Sequence, residues 1–186
     1  HELVSLMVPI DLFDALEFQV QTQPLIEVSC EGEYSVPPDR ENLVFRAAHA
    51  FFSSTGIRGG IRIKLFKRIP VAAGMGGGSS DAAATLLYMN ETWARPVPGK
   101  VLDEIALGLG ADVPFFLRSR PCLATGIGEI LEPWDECPTL FFVVVTPPLE
   151  VSTSWAYGNL KLELTRKEYA HISKILKNYP VAISHI

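Results

Sequence analysis

Apolar and polar positions follow two different periods along these 186 residues. A period of two predicts strands at 3–9 and 16–21, joined by the turn-like PIDLFDA, and further strands at 25–30 and 33–36. From 42 to 54 the period lengthens. Val44, Ala47, Ala48 and Phe51 fall on one face of a predicted helix, and Gly56 marks its end. GIRIKLFKRI (60–69) returns to alternation, with Ile61, Ile63 and Leu65 pointing one way and Arg62, Lys64 and Phe66 the other. A second helix is predicted over 79–93, with Ala82, Leu86, Met89 and Trp93 as its buried stripe. PVPG (96–99) breaks the chain, and a helix over 100–109 follows, closed by Gly110. PCLATGI (121–127) and TLFFVVVTP (139–147) predict strands, the second apolar on both faces and therefore central. Ser152 or Thr153 would cap a short helix. Thr165 and Glu168 form a capping-box pair before a last helix, with Tyr169, Ile172, Leu176 and Tyr179 as its stripe and Pro180 at its end.

Composition narrows the class. Charged residues make up 20% of the chain and apolar ones 48%, the balance of a folded domain with a sizeable core. No apolar run reaches the roughly 18 residues of a membrane span, and no signal-peptide pattern is present, so a cytoplasmic location is expected. A net charge of −5 argues against nucleic acid as a partner and requires any anionic ligand to be held by local groups. Cys30, Cys122 and Cys137 are odd in number and far apart, which favours reduced thiols over a disulfide. The chain opens on His1 and closes on the apolar VAISHI, and both ends are expected to lie inside a longer protein.

The most informative stretch is PVAAGMGGGSSDAAATL (70–86). A flexible linker would sit between polar flanks. This one follows a strong strand, enters through Pro70 and feeds a strong helix former. Strand, glycine turn and helix N-terminus together bring free amides and the positive end of a helix dipole to one place, which suits a phosphate. Side chains at Gly76, Gly77 or Gly78 are expected to block the ligand's approach. The stretch has neither the lysine of a Walker loop nor the last glycine of a dinucleotide fingerprint.

The segment resembles the nucleotide loop of the GHMP small-molecule kinases, and the triple glycine followed by Ser79, Ser80, Asp81 and Ala82 is typical of one branch. HEL at the start, NLV (42–44), LGADVPFFL (109–117) and GIGE (126–129) agree in order and spacing. The resemblance implies a two-layer α/β (α+β) fold of the ribosomal protein S5 domain 2-like type, with the start of a second α/β domain. Residues 1–122 would form the ATP-binding domain, lacking its first strands, and 123–186 the beginning of a substrate-side domain. The implied reaction moves the γ-phosphoryl of ATP, with Mg²⁺, to a hydroxyl of a cytidylyl-polyol in non-mevalonate isoprenoid biosynthesis. Alternatives are another member of the family, of the mevalonate or homoserine type, or a nucleotide-binding fragment without catalysis.

The same resemblance assigns residues. ATP would use Pro70, Val71, Ala72, Ala73, Gly74, Met75, Gly76, Gly77, Gly78, Ser79 and Ser80, with Asn42, Leu43 and Lys67 lining the adenine region. Asn42 reads equally as a helix N-cap, and Lys67 as a solvated strand-end residue. Ser80 would hold Mg²⁺ through its hydroxyl or a water; no carboxylate pair marks a metal cage, so the metal ligands stay open. Asp112 in GADVP reads locally as a turn or capping residue, and by resemblance as the catalytic carboxylate that also meets the substrate. His1, Thr153 and Tyr157 are the remaining substrate candidates, Tyr157 as a base-stacking ring or as ordinary packing. The family's partner lysine would precede His1. The basic face of 60–69 is expected to be solvated rather than to meet phosphates.

Overall fold

The computed structural model describes residues 4–93, 97–146 and 158–159. In chain order the elements are β1 (Ser5–Met7), β2 (Ala15–Gln21), β3 (Ile26–Gly32), α1 (Leu43–Thr55), β4 (Gly60–Lys67), α2 (Gly77–Thr92), α3 (Gly99–Leu109), α4 (Val113–Phe116), β5 (Cys122–Thr125) and β6 (Ile130–Pro133). Two compact units divide them: Ile10–Arg118, and the described residues of 1–9 together with those from Ser119 onward.

In the first unit β4 lies at the centre of a three-stranded sheet of order β2-β4-β3, antiparallel to β2 and parallel to β3. The parallel pair needs a crossover, and α1 supplies it. The alternation of β4 sets the layers. Ile61, Ile63 and Leu65 are buried, and they form one core with Val44, Ala47, Ala48 and Phe51 of α1, Ala82, Ala83, Leu86 and Met89 of α2, and Leu102, Ile105 and Ala106 of α3. Burial of each large aliphatic or aromatic side chain contributes about 1.5–3 kcal/mol. Phe18 of β2 stacks on Tyr88 of α2 with ring centroids 4.1 Å apart, which ties sheet to helix at one edge. On the opposite face Arg62 pairs with Glu27 at 2.8 Å and Lys64 with Glu31 at 3.0 Å. Those partners come from the parallel neighbour β3, so the basic stripe is a solvated, charge-paired face.

Several boundaries depart from the pattern. Residues 33–36 are not a strand. Gly32 takes φ +114°, a left-handed conformation with its α-carbon packed on the Lys67 backbone, and turns the chain off the sheet. The Glu33 amide still donates to the Lys67 carbonyl at 2.9 Å. The strand predicted over 60–69 stops at Lys67, because the Arg68 and Ile69 amides donate to Asp14 and not to a neighbouring strand. Helix α2 begins at Gly77, two residues before the predicted start, and Trp93 is its C-cap, half-buried against Phe51 and Phe52 at the edge of the core.

The second unit holds a sheet of order β1-β5-β6, antiparallel throughout. GIGE forms the β5–β6 turn, where the Glu129 carboxylate accepts the Ile127 amide at 2.7 Å. The expected central strand at 139–147 is not formed over 139–146. No described segment pairs with it, and Phe141, Val143 and Val145 are almost fully exposed. An apolar run specifies burial only where a partner strand supplies the hydrogen-bond ladder. Position 147 and the helices expected at 152–160 and 165–180 lie outside the described residues, save 158–159, which are helical. Cys30, Cys122 and Cys137 are free.

Candidate active site

Strand β4 and helix α2 meet at the glycine loop, and its geometry follows from the residues at the junction. Gly76 occupies the N-cap of α2 at φ +68°, and no side chain caps the helix. The first intrahelical bond recorded there runs from the Ser80 amide to the Gly76 carbonyl at 2.8 Å. The amides of Gly77, Gly78 and Ser79 precede it, where an α-helix has no acceptor to offer. They form a bare, positive helix end. In the loop itself Val71, Ala72 and Gly74 are exposed, and Ala72 holds φ +56°, a left-handed conformation strained for alanine.

The three consecutive glycines are explained differently from the sequence expectation. A methyl on Gly76 would come within 2.8 Å of the Phe116 ring. One on Gly77 would come within 2.8 Å of Ile69 and 3.0 Å of Lys67 Nζ, and one on Gly78 within 3.2 Å of Leu43. All three absent side chains would point into protein. Close approach of Phe116 to Gly76 and of Ile69 and Lys67 to Gly77 leaves no room for a side chain there, and at Gly78 Leu43 would have to give by a few tenths of an ångström. The glycine amides are unaffected by this packing.

Below the loop lies a buried ionic cluster that the sequence reading did not assemble. Lys67 is 2% exposed, which excludes the solvated strand-end reading. Its Nζ donates to Asp14 Oδ2 and, at 3.0 Å, to Asp81 Oδ2. Asp14 precedes β2, and its Oδ1 accepts the amides of Arg68 at 2.5 Å and Ile69 at 2.8 Å. Burial opposes ionisation of Asp14, but hydrogen bonds from Lys67 and the two amides outweigh it and hold its carboxyl below the ordinary range. Asp81 is pushed the other way, to about 7, chiefly by burial. Lys67 offsets part of that shift, and the Asp14 charge adds to it. The signal was available in parity: Lys67 shares the core-facing register of Ile61, Ile63 and Leu65, and Asp81 stands among the buried alanines of α2.

Other predicted positions divide. Asn42 is the N-cap of α1: Oδ1 accepts the Val44 amide at 2.9 Å and Nδ2 donates to the Pro37 carbonyl at 2.8 Å. Leu43 follows and packs on Gly78, so the start of α1 borders the start of α2. Asp112 occupies the N-cap position of α4, but its side chain makes no capping hydrogen bond and is exposed. Its carboxylate is therefore not consumed by the turn. Helix α4 packs on α2, with Phe116 against Gly76. Ser80 lies in the first turn of α2. No group of three or more histidines, cysteines and carboxylates able to hold a metal occurs among the described residues. His1, Thr153 and Tyr157 lie outside the described residues.

Comparison with known proteins places these features. Residues 42–120, from the α1 cap through α4, match the GHMP kinases N terminal domain. The chain is 47% identical over 162 residues to a protein of Geobacter sulfurreducens named 4-diphosphocytidyl-2-C-methyl-D-erythritol kinase, covering 87% of this chain and 58% of that one. It thus spans less than two thirds of the length of this relative. Among solved structures, a 4-(cytidine 5'-diphospho)-2C-methyl-D-erythritol kinase matches with a TM-score of 0.61 and 42% identity, over 72% of this chain and 46% of that one. A homoserine kinase from Cytophaga hutchinsonii matches with a TM-score of 0.67 over 95% of this chain and 67% of that one, at 16% identity, a likeness of fold alone. With an uncapped α2 N-terminus behind the glycine loop and these relatives beside it, the matched segment, residues 42–120, is a GHMP kinases N terminal domain.

Proposed function

We propose that the protein transfers the γ-phosphoryl of ATP to a hydroxyl of 4-diphosphocytidyl-2-C-methyl-D-erythritol. The observation that carries this reading is 47% identity over 87% of the chain to a kinase of that name. Phosphoryl transfer asks mainly for positioning and charge stabilisation. Pro70 to Ser80 would cradle the phosphates, with the amides of Gly77, Gly78 and Ser79 and the α2 dipole facing the negative charge. Asn42 and Leu43 border that end of α2 and would line the nucleotide; Asn42 does so with its own polar atoms committed to the cap and to Pro37.

Asp112 would meet the substrate hydroxyl, orienting it or taking its proton. Its exposure and lack of a capping bond leave the carboxylate available for that contact. Mg²⁺ carried with ATP would neutralise phosphate charge. The Ser80 hydroxyl would be open to it, while among the described residues no carboxylate cage is present and Asp14 and Asp81 are held by Lys67. Residues 1–122 would serve the nucleotide and 123–186 the polyol side, with His1, Thr153 and Tyr157 toward the cytidine. Calorimetric titration with a non-hydrolysable ATP analogue and Mg²⁺ tests the first half of the reading. One-site binding that Asp112→Asn leaves intact is expected. No binding by the purified protein would overturn it.

A further inference from the structure

We propose that Asp14, Lys67 and Asp81 are positioning residues that clamp the two ends of the glycine loop and thereby set nucleotide affinity. The inference rests on the reading of that loop as the triphosphate cradle. It concerns the buried, mutually paired side chains beneath the loop rather than the backbone amides that would face the phosphates.

The geometry is a continuous chain of hydrogen bonds. At the loop entrance, one oxygen of Asp14 holds the amides of Arg68 and Ile69, the two residues that leave β4. Its other oxygen holds Lys67 Nζ, and the same ammonium reaches Asp81 in the second turn of α2 at 3.0 Å. Strand end, loop entrance and helix start are therefore joined through one lysine between two carboxylates. The three side chains are at most 4% exposed, so little competing water reaches the bonds. Lys67 Nζ lies directly under Gly77, the first residue of α2, close enough that a Cβ there would stand 3.0 Å from it.

Stability alone does not account for this cluster. Two buried carboxylates around one ammonium are expensive to desolvate, and apolar residues of similar volume often serve stability as well or better. What the ions supply is direction: each bond fixes an angle as well as a contact. The loop between the clamped ends carries Gly74 and Gly76 in left-handed conformations and has few side chains to restrain it. Held ends limit the conformations that the amides of Gly77, Gly78 and Ser79 sample, so less order must be imposed when phosphate binds.

The test uses the full protein with a non-hydrolysable ATP analogue and Mg²⁺ in calorimetry, and steady-state kinetics varying ATP and the alcohol separately. Asp81→Leu cuts the helix end of the clamp and leaves the Lys67–Asp14 pair whole. It should weaken analogue binding and raise KM for ATP about tenfold, the effect of one charge-assisted hydrogen bond, with KM for the alcohol unchanged. Asp81→Asn, whose amide oxygen can still accept from Lys67, should restore most of the loss. Should Asp81→Leu fail to fold by circular dichroism, Asp14→Ala cuts the entrance end and should give the same split. Wild-type affinity in a folded variant, or a parallel rise in both KM values, overturns the clamp. Absence of analogue binding by the wild-type protein overturns the cradle reading itself, a result distinct from either.

Discussion

Lys67 stands where the alternation of β4 assigns an apolar side chain, and two carboxylates accompany it there. The charge state of Asp81 should be visible in stability. Its carboxyl is raised to about 7 in the fold, whereas an unfolded chain leaves it near the ordinary value of 3.8. Between those values the folded state binds the proton more tightly. Its contribution is therefore fully present below about 3.8 and is lost as pH rises through about 7. Thermal midpoints measured without nucleotide or magnesium should fall across that window in the wild type, and Asp81→Asn should flatten the fall. An equal slope in both proteins would contradict the assignment. Asp112 makes the complementary prediction. Its carboxylate caps nothing, so Asp112→Asn should leave the melting temperature nearly unchanged while lowering kcat by roughly 10²–10⁴. An unchanged kcat would remove Asp112 from the chemistry.

Among the elements, α1, β4 and α2 were legible because their periods are strong and their core-facing residues are mostly apolar, with Lys67, Asp81 and Thr85 as the polar exceptions. The Asn42 cap was legible for the same reason that it is stable: an Asx side chain ahead of an apolar periodicity satisfies the second helical amide. Asn42→Ala should destabilise the first unit by about 1 kcal/mol, and chemical denaturation would measure it. The run at 139–146 misled because an apolar strand and an unpartnered apolar segment have the same local pattern; only long-range pairing separates them. The reason for the glycine triplet was also hidden, since it depends on Phe116, Ile69 and Leu43 arriving from three other places in the chain. Gly77→Val should therefore lose about 1–3 kcal/mol of stability by overpacking against Ile69 and Lys67, beyond any weakening of nucleotide binding. Calorimetric unfolding without ligand distinguishes this from a purely obstructive effect, which would leave the melting temperature where it was.

At the scale of the molecule, a short sheet and the helices on one face bring a bare helix end, a glycine turn and an unspent carboxylate into one unit, Ile10–Arg118. Part of this could be read from motif order, because a backbone-amide phosphate site leaves its mark as glycines at fixed offsets between a strand and a helix. The ionic cluster left no such mark. Its members lie 53 and 14 residues apart, and local pattern does not join them. The central claim is the reaction, and phosphoryl transfer assayed by ADP release tests it most directly. Turnover is predicted with 4-diphosphocytidyl-2-C-methyl-D-erythritol, and none with mevalonate or homoserine. Turnover with mevalonate or homoserine and none with the cytidylyl substrate would contradict the account.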